Sequence, residues 1–196
     1  MKLILVSLFS TLYVSLAAQT KDTIYYNSDW KVVDKSKALY YRNIKSIESD
    51  TIKIIDYYLK TNTPQMIGQF SDTTFTYKIG KFKYFREDGS IKQIGSYNTN
   101  GKKTGLWTTY LKNGFDCCVF NYKNGVKDGE GSMKYDNSNF KYISQFKNDE
   151  LNGWKKIYRR NGSLKKEEEL IDGYATGNYK KYSRNGSRTK EVILEQ

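Results

Sequence analysis

The chain has 196 residues, with 33 Lys and Arg against 21 Asp and Glu, two cysteines, no histidine and a formal charge of +12. Lack of histidine removes the commonest general base and metal ligand, and two cysteines exclude a disulfide-stapled scaffold. No P-loop, dinucleotide fingerprint or metal-ligand spacing occurs, so no enzyme, cofactor or metal site is expected.

Residues 1–18 read as a secretory signal peptide. Lys2 supplies the positive start, Leu3 to Leu16 the apolar run, and "SLAAQT" the small residues around a cleavage expected after Ala17 or Ala18. The run is shorter than the ~20 residues a membrane span needs. No cysteine lies near the cleavage point, so a lipoprotein is not expected. The predicted location is the periplasm, the cell envelope or the medium. Without Lys2 the balance is 32 basic to 21 acidic residues, which suits nucleic acid, anionic lipid or an acidic polymer. Export sets nucleic acid aside.

Residues 19–56 carry "TIYY", "ALYYRNIK" and "TIKII", β-branched and aromatic stretches that read as strands opening a sheet. Residues 57–196 then repeat. Glycines at 80, 105, 129, 153 and 177 are spaced 25, 24, 24 and 24 residues apart. Counting each as position zero, position five holds Phe85, Tyr110, Tyr158 and Tyr182, with Tyr135 displaced by one. Positions eight and nine hold Asp88-Gly89, Asn113-Gly114, Asn137-Ser138, Asn161-Gly162 and Asn185-Gly186. Position seventeen is always large and apolar. A worn copy counted from Lys53 precedes them, with Tyr58 at five and Asn62 at nine. The copies run approximately 57–79, 80–104, 105–128, 129–152, 153–176 and 177–196.

Each copy holds two strand-like segments separated by Asn-Gly or Asp-Gly, a strong hairpin signal. No helical periodicity of useful length follows the leader. The predicted fold is therefore all-β, an elongated antiparallel meander of hairpin repeats of about 24 residues. A two-residue turn makes paired positions sum to seventeen. It sets Trp107 against Phe120, Phe82 against Gly95, Tyr179 against Val192, Lys155 against Glu168, Lys156 against Glu167 and Lys180 against Glu191. It also sets each opening glycine against the large residue at seventeen, where glycine would leave room for it. A three-residue loop with a glycine bulge instead shifts every pair by one. Cys117 and Cys118, adjacent on a strand, should point to opposite faces. The cluster Glu167, Glu168, Glu169 and Asp172 reads as ion-paired surface charge.

"GLWTTYLKNG", "GWKKIYRRNG" and "GNYKKYSRNG" resemble the MORN-repeat family, in the bacterial variant whose members are often labelled antitoxin components. "GEGSMKYDNS" lacks the second aromatic and the turn glycine, so its hairpin is expected to be irregular. The resemblance implies a β-hairpin array for binding or scaffolding, without catalytic residues. The expected function is a non-catalytic extracytoplasmic module for a protein, glycan or anionic lipid partner; the alternative is an immunity- or antitoxin-like inhibitor of one toxin. Trp107, Trp154, Tyr158, Tyr179 and Tyr182, interleaved with Lys155 and Lys180, are the candidate binding stripe. The competing reading makes these aromatics the fold's own cross-strand contacts. Charged edge strands predict a monomer.

Overall fold

In the computed structural model the described residues are 23–48 and 50–194; the expected leader lies outside them. They form one open antiparallel sheet of fifteen strands. In chain order these are β1 (Ile24–Tyr26), β2 (Tyr40–Glu48), β3 (Thr51–Tyr58), β4 (Pro64–Phe70), β5 (Lys78–Phe85), β6 (Ile91–Tyr97) and β7 (Lys103–Tyr110). There follow β8 (Asp116–Lys123), β9 (Val126–Lys134), β10 (Phe140–Lys147), the two-residue β11 (Glu150–Leu151), β12 (Gly153–Tyr158), β13 (Leu164–Ile171), β14 (Tyr174–Tyr182) and β15 (Arg188–Val192). Each strand pairs with the next except β11, which flanks β10 while β10 pairs onward to β12. β1 to β3 belong to this same sheet. No described helix is long and apolar enough to cross a membrane.

The hairpins combine both turn geometries foreseen from the sequence. In the strand bodies Trp107 faces Phe120, Phe82 faces Gly95, Tyr179 faces Val192, and Lys155, Lys156 and Lys180 face Glu168, Glu167 and Glu191. At the tip, however, Gly114 N–H donates to the Leu111 carbonyl and Leu111 N–H to that of Phe115. That is a three-residue loop closed by a glycine at φ 87°. The two readings are reconciled by a β-bulge at position twelve. Thr109 faces Cys118 while Tyr110 faces Asp116, so Cys117 is the extra residue, and Lys92, Lys165 and Thr189 repeat the arrangement.

Two expectations are corrected here. Ser138 takes the left-handed conformation at φ 67°, and its N–H donates to Tyr135, so the third hairpin keeps the common turn without its glycine. The opening glycines make room for the residue at seventeen in some copies only: a Cβ on Gly177 would stand 2.7 Å from Leu194, as expected, whereas those on Gly80 and Gly129 would meet Gln69 and Asn121 instead, at 2.5 and 2.9 Å. A Cβ on Gly105 would meet nothing within 4 Å, but its φ is +63°, a conformation that penalises any other residue.

Room is needed elsewhere, along a row of neighbours crossing the sheet. Ile54, Gly68, Phe82, Gly95, Trp107, Phe120, Gly131, Ser144, Lys155, Glu168, Tyr179 and Val192 lie side by side from β3 to β15. Large residues fill the space over glycines: a Cβ on Gly68 would come 2.2 Å from Phe82, and one on Gly131 2.5 Å from Phe120. The rings of Phe70, Phe82, Tyr97, Trp107 and Tyr122 form an edge-to-face chain with centroids 4.9–6.3 Å apart. The apolar core follows this chain through Ile52, Ile54, Met66, Phe70, Phe82 and Trp107. Beyond Ser144 the row turns charged, and among the described residues there Leu170 is the one buried large apolar side chain.

Candidate binding face and its cleft

The strand period assigns residues to two faces. The face bearing the aromatic chain also carries lysines two places before the first three opening glycines, Gly80, Gly105 and Gly129. Lys103 lies over the rings of Trp107 (4.3 Å) and Tyr122 (4.9 Å), and Lys127 over Phe120 (4.7 Å) and Phe146 (5.3 Å). Lys78 sits over Phe82, Tyr84 and Tyr97 at 5.5–5.6 Å. Successive lysines of this row stand two strands apart, on the order of 10 Å. Burial holds the ammonium groups of Lys78 and Lys103 below the ordinary lysine range, and the next lysine along adds repulsion to Lys103. The row thus keeps its positive charges close together and partly dehydrated.

The sequence-predicted stripe divides between the faces. Trp107 is on the lysine-bearing face but only 2% exposed, locked by donating Nε1–H to the Ser96 carbonyl at 3.0 Å. It cannot offer its ring to a partner, which corrects its place in an exposed stripe. Lys155 and Tyr179 share that face. Lys155 lies over Tyr142 at 5.3 Å, and Tyr179 is ringed by Lys166, Lys181 and Lys190 at 5.2–5.7 Å. A hydrogen bond with Lys190 lowers the Tyr179 phenol and raises the Lys190 ammonium. Trp154 and Lys180 lie on the opposite face, 5.5 Å apart, where Tyr182 donates to Glu167 at 2.6 Å. Tyr158 packs against Phe140 at 6.1 Å. Glu167 and Glu191 pair with Lys156 and Lys180, but Glu168 pairs with Lys166 on its own strand rather than with Lys155.

Asp88-Gly89, Asn113-Gly114, Asn161-Gly162 and Asn185-Gly186 all occupy hairpin tips. Their glycines have φ of 82–89°, and each Asx carboxyl or amide oxygen accepts from the backbone two residues on. These residues are structural. The cysteines also depart from expectation: the bulge at Cys117 brings its sulfur to 3.2 Å from that of Cys118.

The feature that strand periodicity did not reveal is a cleft at the head of the lysine row. It holds about 340 Å³ and is lined by residues including Tyr26, Arg42, Asp56, Phe70, Phe75 and Lys78. Arg42 donates Nε–H and Nη2–H to the two oxygens of Asp56 at 2.7 and 2.8 Å, both side chains being buried. The rings of Tyr26, Phe70 and Phe75 surround the guanidinium at 4.6–5.2 Å. Asp56 inside "TIKIIDYY" gave one signal of this, a charge at the alternate position that continues Ile52 and Ile54, and Arg42 inside "ALYYRNIK" faces it across β2 and β3. Among the described residues no group of three or more His, Cys, Asp or Glu is placed to hold a metal ion. Comparison with family models and with curated proteins finds no match to this chain.

Proposed function

We propose that the protein is a non-catalytic, exported binding module whose lysine-bearing face holds an acidic glycan chain. The observation that carries this is the row of Lys78, Lys103 and Lys127, each seated on aromatic rings at the same place in successive copies. A linear polyanion lying across the strands meets one cation per copy, and its apolar sugar faces meet the ring edges between them. The ammonium groups lie down on the rings, within reach of a narrow chain. A planar lipid surface is better served by basic side chains standing proud of the sheet. The MORN-like hairpin array is, on this reading, a ruler that repeats one weak site.

The test uses the mature chain with polygalacturonate, neutral dextran and phosphatidylglycerol vesicles. Polygalacturonate should bind with an affinity that falls as salt rises, and dextran should not bind. The double variant Lys103→Met, Lys127→Met should weaken polygalacturonate at least fivefold while keeping its fold by circular dichroism. Equal binding of dextran, or of the double variant, overturns the reading. Binding of vesicles in place of the polymer overturns it in favour of a lipid surface.

A further inference from the structure

Two loops close over the head of the sheet, residues 27–39 between β1 and β2 and residues 71–77 between β4 and β5. Both begin with an Asx side chain that accepts from the backbone of its own loop. Asn27 Oδ1 accepts from Asp29 and Lys31 N–H at 3.0 Å, and Asp72 Oδ1 accepts from Thr76 at 3.0 Å and Tyr77 at 2.8 Å. Three residues after each, an N–H returns to the Asx carbonyl, from Trp30 at 3.1 Å and from Phe75 at 3.2 Å. The loop at Asn98 is built in the same way, with Gly101 at the third place and φ 71°. At the two upper loops that glycine position is filled by Trp30 at φ 59° and Phe75 at φ 57°. An L-residue pays a steric penalty in this conformation that glycine escapes. Both strained residues are aromatic, and both line the cleft of Arg42 and Asp56. Backbone strain of this kind is retained where a side chain is held for a purpose.

The polar groups of the cleft are unequally satisfied. Arg42 and Asp56 neutralise each other. Lys78 donates to the Tyr84 hydroxyl at 3.2 Å, and among the described residues it forms no salt bridge. Gln65, the bulged residue of the worn copy, has a buried Oε1 with no hydrogen-bond partner among the described residues. The cleft therefore carries one uncompensated cation, one unfilled acceptor, the Thr74 hydroxyl near its mouth and aromatic walls.

We infer that this cleft binds one carboxylated sugar ring, with its carboxylate on Lys78, a hydroxyl donating to Gln65 Oε1 and an apolar ring face against Phe75 and Trp30. For its ligand class the inference rests on the acidic-glycan reading, and it assigns the cleft to the end of such a chain. A monoanion matches the single uncompensated charge. A sugar, unlike a purely apolar acid, also supplies the donor that Gln65 lacks.

The experiment titrates the mature chain with digalacturonate, which is too short to span the lysine row, and with glucose and benzoate as controls. Binding is read by calorimetry and by tryptophan fluorescence. Digalacturonate should bind saturably, at least tenfold tighter than glucose or benzoate. Lys78→Met should weaken it at least tenfold. Trp30→Gly removes the ring, which also stacks on Tyr40 at 4.8 Å, and relieves the backbone, so it should weaken binding while circular dichroism shows the sheet kept. Absence of saturable digalacturonate binding, unchanged binding by folded Lys78→Met, or preference for benzoate overturns the inference. If the polymer still binds in that event, the lysine row stands and the cleft alone is lost; if neither binds, both readings fall.

Discussion

Gly95 lies beneath the indole of Trp107 so closely that a Cβ on it would stand 2.1 Å from the ring. The indole cannot step aside. Its N–H is tied to the Ser96 carbonyl, and the Tyr97 ring meets it edge-on at 5.0 Å. Gly95→Ala should therefore destabilise the protein by about 3 kcal/mol, the upper end of ordinary overpacking. Gly105→Ala meets no atom and strains only the backbone, so about 1 kcal/mol is expected there. Urea midpoints of the two variants, compared with the parent, check the order. A larger loss at Gly105 would show that packing over Gly95 is slack.

A second relationship recurs between copies. The side chain at position six reaches the carbonyl at position five of the next copy: Arg86 to Tyr110, Tyr135 to Tyr158 at 3.2 Å, and Arg159 to Tyr182 at 2.5 Å. Tyr58, at position five of the worn copy, reaches the Phe85 carbonyl in the same way at 3.0 Å. Leu111, the aliphatic residue at position six, cannot donate. Leu111→Arg should add the missing staple to the Lys134 carbonyl and stabilise by about 1 kcal/mol, whereas Arg159→Leu should cost about 2 kcal/mol. Chemical denaturation of both variants provides the check, and a destabilised Leu111→Arg would refute the staple.

These staples show what the residue pattern could and could not reveal. Strand order and pairing were legible because glycine, aromatic and Asn-Gly recur at fixed spacing. Lys156 opposite Glu167 follows directly from that count. Tyr135 looked like a displaced copy of the position-five aromatic, yet it replaces an arginine as the inter-copy donor. Periodicity registers where a residue stands, and it does not register which group accepts its hydrogen. The bulge was hidden for a related reason. One extra residue per hairpin offsets the longer turn, so counting alone returns a regular ladder. The cleft escaped because its strand residues are closed over by loops 27–39 and 71–77, one before the repeats and one within the worn copy, which share only an Asx followed three places on by an aromatic.

Stability should depend on pH in two opposed ways near pH 10. Burial raises the phenols of Tyr26, Tyr84, Tyr97, Tyr122 and Tyr142 above their ordinary value of 10.0. Above pH 10.0 the folded chain holds these protons more tightly than the unfolded one, so stability present below that pH is lost as it rises. Burial lowers Lys78 and Lys103 below 10.5. Below that pH the unfolded chain holds their protons more tightly, so stability gains as pH climbs through the lowered range. A shallow rise followed by a steep fall is expected in urea midpoints measured across this range. Lys78→Met should remove part of the rise, and Tyr84→Phe part of the fall. A fall that begins below pH 9 would contradict this assignment.

The paired cysteines give a chemical test of the bulge. Burial, then the hydrogen bond to Cys117, pushes the Cys118 thiol up to about 12. At about pH 8 its thiolate is so scarce that iodoacetamide should modify it at least about 100-fold more slowly than an ordinary exposed thiol. Without the bulge at Cys117 the two sulfurs would lie on opposite sides of β8, and neither would feel the other. Cys117→Ala should therefore speed modification of Cys118, while burial keeps it slower than a free thiol. Mass spectrometry of timed alkylation measures both rates. If Cys117→Ala leaves the Cys118 rate unchanged, the sulfurs do not share a face and the bulge is misplaced.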